Sequence, residues 1–157
     1  MYHCGVAVDM NYEPDGSGAM SYDVPDAISN YFSYSDHSAF VSKGGSYDEW
    51  IALLKQYLDQ SIPLYYSGHS SDGGHAFICD GYDVDNLFHF NYGWGGVGGG
   101  WLLIDGENFE YSGSQGVVTD FAPDYVFNAM AQAPDNLEVT IDSDVSLTGH
   151  LSWTNPT

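Results

Sequence analysis

The glycine-rich segment between residues 93 and 100 most constrains how this chain can fold. Six of these eight residues are glycine, so the segment must turn or allow close backbone approach rather than pack through side chains. Short apolar runs bounded by turn residues lie around it, namely Gly74–Asp80, Leu87–Asn91 and Trp101–Ile104. The pattern predicts antiparallel strands joined by tight connections. A further strand is predicted over Gly116–Phe121.

Two helices are predicted ahead of these strands, after a turn-rich loop from Tyr12 to Ala19. The first spans Pro25–Tyr34, with Asp23 as its N-cap and a proline in its first turn. The second follows Ser46, which forms a capping-box pattern with Glu49 before apolar residues at helical spacing. A short strand, Leu64–Ser67, leads into the sheet. The chain is therefore predicted to be an α+β protein with an antiparallel sheet and two helices.

The charge balance excludes several classes of function. Two lysines and no arginine face 22 Asp and Glu residues, which gives a formal net charge of −20. Such a chain is repelled by phosphate and by anionic lipid, so no nucleic-acid or membrane partner is expected. Apolar residues make up 43% and aromatic residues 16%, which favours a folded core over acidic disorder.

His75 and Asn91 are the residues that best fit a catalytic pair. His75 opens an apolar strand behind two glycines, and Asn91 ends the next strand. Paired residues on neighbouring strands lie about 5 Å apart, so the amide oxygen of Asn91 is expected to accept from the imidazole. The other ring nitrogen would then accept a proton from a nucleophile. Each residue alone is more often structural; together they match the His-Asn portion of a Cys-His-Asn site.

Neither cysteine is predicted to be the nucleophile. Cys79 shares a strand face with His75 but lies four residues away, roughly 13 Å, which is beyond hydrogen-bond reach. It is expected to be a buried strand residue. Cys4 lies in an apolar, strand-like run and is expected to be a small core residue.

No metal or cofactor is predicted. Three aspartates, at positions 80, 83 and 85, lie close together but do not match a calcium-loop pattern. Three histidines, at positions 69, 75 and 89, have no recognised zinc spacing. Solvated turns and structural histidines explain both sets.

Two motifs resemble the streptopain family of papain-like cysteine peptidases. They are Gly-Gly-His-Ala-Phe-x-x-Asp-Gly-Tyr from Gly73 and Phe-His-x-Asn-x-Gly-Trp-Gly-Gly from Phe88. The resemblance covers residues 4–122 and implies a papain-like half-domain. The alternating apolar residues near the C-terminus resemble the start of a fibronectin type III-like β-sandwich module. The predicted organisation is a peptidase portion at 1–123, a linker at 124–136 and a truncated module at 137–157.

The resemblance implies roles for seven residues. His75 matches the catalytic histidine, Asn91 the amide that orients it, and Trp94 the indole that shields it from water. Implied substrate-binding residues are Ser17, Gly18, Gly74 and Tyr92. Many members carry an indole at the position of Tyr92, so this residue departs from the family pattern.

The resemblance also implies a secreted, bacterial cysteine endopeptidase that acts on protein or peptide substrates without a cofactor. The family's nucleophile lies in a Gly-Cys-x-Ala-Thr-like helix start, and this sequence contains no such segment. We therefore expect a fragment that is inactive alone. Its missing partners would be the N-terminal half of the catalytic domain and an inhibitory propeptide. The alternative is a non-catalytic pseudo-peptidase or truncated binding module with an aromatic-rich cleft.

Overall fold

The computed structural model describes residues 2–126. They form an α+β arrangement in which every strand pairing is antiparallel, as the sequence predicts. The predicted module at 137–157 lies outside the described residues, as does most of the 124–136 linker. Within residues 2–126, no helix is long and apolar enough to cross a membrane.

The described residues contain three α-helices: α1 (Tyr2–Ala7), α2 (Val24–Phe32) and α3 (Tyr47–Leu58). The capping box of α3 is confirmed, because Ser46 accepts from the Glu49 N–H while the Glu49 carboxylate accepts from the Ser46 N–H. The predicted cap of α2 is wrong. Asp23 makes no side-chain capping bond, because it belongs to a 3-10 turn, Ser21–Asp23, that runs directly into the helix.

Eight strands form two sheets. A small hairpin pairs β1 (Asn11–Glu13) with β2 (Gly16–Gly18). The main sheet has the order β3-β8-β4-β5-β6-β7. Its strands are β3 (Ala39–Ser42), β4 (Leu64–Ser70), β5 (Gly73–Tyr82), β6 (Leu87–Asn91), β7 (Gly100–Leu103) and β8 (Gly113–Thr119).

Three local predictions differ from the structure. The N-terminal run predicted as strand-like is the helix α1, so the described residues contain three helices rather than two. The segment from Tyr12 to Ala19, expected to be a loop, contains the β1–β2 hairpin. Strand β3 was not predicted; it is short and forms by pairing with β8, far along the chain. Contacts between segments account for the position of α1. Gly5 of α1 packs so closely on Tyr12 that a Cβ atom at position 5 would lie 1.9 Å from the Tyr12 hydroxyl oxygen.

One face of the main sheet is covered by α3. The indole of Trp50 donates to the Tyr66 hydroxyl across this contact (3.1 Å). Aromatic rings fill the layer behind it, including Phe77, Phe88 and Phe90. Along β5, His75 alternates in register with Phe77 and Cys79, so the histidine lies on this face, at the end of the core. Cys79 is fully buried, which confirms its predicted place.

Candidate active site

A groove of about 1000 Å³ lies on the other side of the sheet, between α1, the β1–β2 hairpin, α2 and strands β4 and β5. Its lining is mostly apolar and includes several exposed large side chains, such as Met20 and Phe32. Four of the predicted site residues line this groove, namely Ser17, Gly18, Gly74 and His75. The structure thus brings together the two predicted segments of the cleft, although Ser17 and Gly18 belong to β2 rather than to a loop.

The imidazole of His75 is held by the main chain. Its Nε2 lies 2.9 Å from the carbonyl oxygen of Tyr92. A carbonyl oxygen only accepts hydrogen bonds, so Nε2 carries the proton in this arrangement. In the neutral ring, Nδ1 is then the unprotonated nitrogen and is free to act as a base.

Four aromatic rings surround this imidazole. Trp94 lies closest, with ring centroids 4.6 Å apart and planes tilted by 30°. Tyr92 meets the imidazole edge-on at 5.9 Å, while Phe77 lies at 5.7 Å and Tyr111 at 5.3 Å. Trp94 itself is 49% exposed, so it covers the histidine at the surface. Rings packed in this way limit the access of water to the histidine and the number of its rotamers.

Asn91 does not hold the imidazole directly. The β5–β6 register places it opposite Ile78, three residues along β5 from His75. Its side-chain oxygen accepts instead from the N–H of Gly93 (2.9 Å). This is an Asx-type turn, and it fixes the backbone on the far side of Tyr92, whose carbonyl accepts from His75. The predicted direct bond from His75 to the Asn91 amide is therefore replaced by a bond to the next residue's carbonyl.

Tyr92 is turned into the core. Its side chain is 5% exposed, so the predicted substrate contact is not part of the arrangement described here. Burial raises its pKa to about 12, and its buried hydroxyl has no hydrogen-bond partner among residues 2–126. The ring packs edge-on against the imidazole.

The two cysteines have opposite environments. Burial raises the pKa of Cys79 to about 12, so its thiol is unreactive at neutral pH. Cys4 is exposed on α1 and lines the groove, which corrects its predicted place in a strand and in the core. On the six-residue helix α1, Gly5 is buried while its neighbour Cys4 is exposed.

Within residues 2–126, no three His, Cys, Asp or Glu side chains are grouped to hold a metal ion.

A His–Asp pair links the two neighbouring strands β5 and β6. His89 Nδ1 lies 2.6 Å from an Asp80 carboxylate oxygen, on a part of the sheet that is partly exposed. That pair spans the irregular register between Cys79 and Gly81 and has a structural role in joining β5 to β6.

Comparison with known proteins places this geometry in a family. Residues 1–102 match the model described as the peptidase C10 family. Streptopain of Streptococcus pyogenes serotype M1 is 38% identical over 117 residues, which are 74% of this chain and 29% of streptopain. A thiol protease/hemagglutinin of Porphyromonas gingivalis is 37% identical over 97 residues, 60% of this chain and 11% of that protein. The chain thus spans less than a third of the length of these relatives.

Solved structures agree with the sequence comparison. Active wild-type interpain A, a cysteine protease of Prevotella intermedia, superposes with a TM-score of 0.67 and 31% identity over 75% of this chain and 52% of its own. A prointerpain A fragment from the same organism gives a TM-score of 0.64 and 34% identity, over 75% of this chain and 39% of its own. The resemblance to streptopain inferred from the two motifs is confirmed, and the chain belongs to the peptidase C10 family.

Proposed function

We propose that this chain supplies the histidine-bearing part of a cysteine endopeptidase site. The observation that carries the proposal is the state of His75: its Nε2 proton is engaged by the Tyr92 carbonyl, while its ring is packed among aromatic side chains at the edge of an apolar groove. A buried structural histidine needs neither a groove nor a free ring nitrogen. A general base needs both.

The nucleophile in this proposal comes from residues outside these 157. Cys79 is buried in the core on the α3 face of the sheet. Cys4 lies on the six-residue helix α1 and, among residues 2–126, makes no hydrogen bond to His75. The relatives are named streptopain and thiol protease, and the matched residues make up only 29% and 11% of their respective lengths. A thiol at the start of a longer helix would have the dipole that favours a thiolate.

The proposed reaction proceeds in two steps. Nδ1 of His75 takes the proton of the incoming thiol, and the sulfur attacks the peptide carbonyl carbon to form a tetrahedral adduct. The imidazolium then gives its proton to the leaving amine as the C–N bond breaks, which leaves a thioester. In the second step Nδ1 takes a proton from water, the hydroxide adds to the thioester, and the thiol departs with the proton. Main-chain N–H groups beside the nucleophile would stabilise the oxyanion in both steps.

The residues that line the groove suggest the substrate, and the relatives suggest secretion and a propeptide. A polypeptide is the expected substrate, and Ser17, Gly18 and Gly74 are proposed to contact its backbone, since they line the groove beside His75. Asn91 is proposed to act through the turn that it caps, and Trp94 to shield the imidazole. Secretion and an inhibitory propeptide are proposed from the relatives, one of which was solved as a prointerpain fragment.

A fusion protein tests the proposal. Residues 2–122 of this chain would replace the matched part of active interpain A, and hydrolysis of a fluorogenic peptide would be measured. We expect a working peptidase in which His75→Gln lowers kcat/KM by at least about 100-fold, as for loss of a general base. The matched control is His69→Gln, because His69 lines the same groove, and it should retain activity within about threefold.

A folded fusion with native circular dichroism and no activity would contradict the proposal, as would equal activity in the His75→Gln and His69→Gln variants. The second candidate function is a non-catalytic binding module, which the size and apolar lining of the groove favour. Under that reading, His75→Gln would leave peptide binding to the folded fusion unchanged while the wild-type fusion hydrolyses nothing.

A further inference from the structure

Tyr111 forms one wall of the His75 pocket, although it lies beyond the residues matched by the family model. It is 5% exposed, and its ring centroid lies 5.3 Å from that of the imidazole. It also meets the ring of Tyr92 at 5.4 Å, nearly perpendicular. Tyr111 therefore contacts both the histidine and the residue whose carbonyl holds that histidine. No sequence pattern around Tyr111 marks it as part of a site.

Gly68 makes this approach possible. In the β4–β5 register Gly68 lies directly opposite His75. A Cβ atom at Gly68 would lie 2.2 Å from the carbonyl oxygen of Tyr111 and 3.0 Å from its Cβ. The obstacle is main chain, which has no flexible end to move aside. A glycine in the middle of a strand therefore allows the segment carrying Tyr111 to lie on β4 beside the imidazole.

The segment is anchored on both sides of Tyr111. After it, the Gln115 side-chain amide donates to the Ser112 carbonyl (2.9 Å) and to an Asp105 carboxylate oxygen (2.6 Å). Before it, the buried ring of Phe109 packs on Phe90 at 4.9 Å. The position of Tyr111 is thus fixed independently of any contact with His75.

We propose that Tyr111 is a positioning residue that holds the imidazole of His75 in the rotamer that bonds to Tyr92 and leaves Nδ1 free. This inference rests on the proposed role of His75 as the base. A different χ1 well would carry the ring away from the Tyr92 carbonyl, and the Tyr111 ring, 5.3 Å from the imidazole, limits the space in which the imidazole can turn. Burial raises the pKa of Tyr111, so its phenol stays neutral beside the imidazole.

Kinetics in the interpain A fusion test the inference. Tyr111→Leu should lower kcat by about 10- to 100-fold with KM unchanged within about threefold, because misplacing a reacting group mainly affects the chemical step. Tyr111→Phe keeps the ring and should retain kcat within about threefold. Phe88→Leu is the matched control: it removes a fully buried ring from β6, opposite Tyr82 and away from His75, and should lower thermal stability while preserving kcat.

Full kcat in Tyr111→Leu, or equal losses in Tyr111→Leu and Tyr111→Phe, would overturn the inference. Should Tyr111→Leu melt below the assay temperature, Gly68→Ala gives the second test, since it displaces the segment and should reproduce the loss of kcat.

NMR of the complete 157-residue chain separates this inference from the proposed function. The signals of the His75 ring protons, assigned with His75→Gln, should move in Tyr111→Leu, which removes one of the four surrounding rings, and should stay in place in Tyr111→Phe and Phe88→Leu. Unchanged His75 signals in Tyr111→Leu would overturn the positioning role, whatever activity the fusion shows. Moved signals together with an inactive fusion would reject the peptidase proposal and leave the contact established.

Discussion

The two faces of the main sheet differ in how completely they are covered. On one face, α3 seals a core in which Leu54, Tyr66 and Phe88 are fully buried. On the other face, α1, α2 and the β1–β2 hairpin leave a groove with exposed side chains such as Met20, which is 58% exposed. His75 lies where the two regions meet. The sealed face thus holds the buried core, while the open face leaves the groove accessible.

The sharpest contrast between the two regions is in thiol reactivity. At pH 8, iodoacetamide should label Cys4 at least about a thousandfold faster than Cys79, because burial raises the pKa of Cys79 to about 12. Peptide mapping by mass spectrometry measures both rates. In urea the two rates should converge. Comparable labelling in the native chain would show that the core is open.

Truncation of matched side chains extends the comparison to stability. Leu54→Ala should lower the free energy of unfolding by about 2–5 kcal/mol, since it leaves a cavity under α3. Met20→Ala in the groove should cost less than about 1 kcal/mol, because most of that side chain is already in water. Urea denaturation measures both. Similar losses at the two positions would mean that the groove face is as well packed as the core.

Alkaline pH should destabilise the sealed face through Cys79. Its pKa is about 12 when folded and near 8.5 when unfolded, so above about pH 9 the unfolded state binds fewer protons. Stability should therefore fall as pH rises, by about 1.4 kcal/mol per pH unit from this group. Urea denaturation at each pH gives the free energy of unfolding. In Cys79→Ala, the decrease in this free energy between pH 9 and 10 should be smaller by the contribution of Cys79. An unchanged decrease would contradict the raised pKa of Cys79.

The helices of the two regions should differ in their caps. Ser46→Ala at α3 removes a capping bond and should cost about 1 kcal/mol. Asp23→Ala at α2, which lines the groove, should change stability by less than about 0.5 kcal/mol, because Asp23 makes no side-chain capping bond. Thermal unfolding by circular dichroism distinguishes the two. An Asp23→Ala loss equal to that of Ser46→Ala would show a cap that the structure lacks.

The sequence predicts best where structure is local. The capping box and helical spacing mark α3, and short apolar runs bounded by turn residues mark β5 and β6, because these signals depend on neighbours along the chain. Helix α1 could not be predicted in this way. It is only six residues long, and Gly5 packs against Tyr12 in the following hairpin.

The sequence predicted the histidine of the candidate site, but not the hydrogen-bond partner of that histidine or all of the rings around it. The motifs identify His75 and Trp94, which the structure places with rings 4.6 Å apart. The register between β5 and β6 could not be derived from the sequence. It pairs Asn91 with Ile78, three residues from His75, and the imidazole donates to the Tyr92 carbonyl instead. Tyr111 reaches the site through a close backbone approach, for which the mid-strand Gly68 is the single sequence signal.

The Tyr92 carbonyl fixes the His75 proton on Nε2 and leaves Nδ1 as the free base. The most direct test is ¹⁵N NMR of the imidazoles in the 157-residue chain at pH 8, with the 86%-exposed side chain of His37 as internal reference. We predict an Nε2 proton on His75 that exchanges with solvent far more slowly than that of His37, and an unprotonated Nδ1. A proton on Nδ1, or exchange as fast as at His37, would contradict the account.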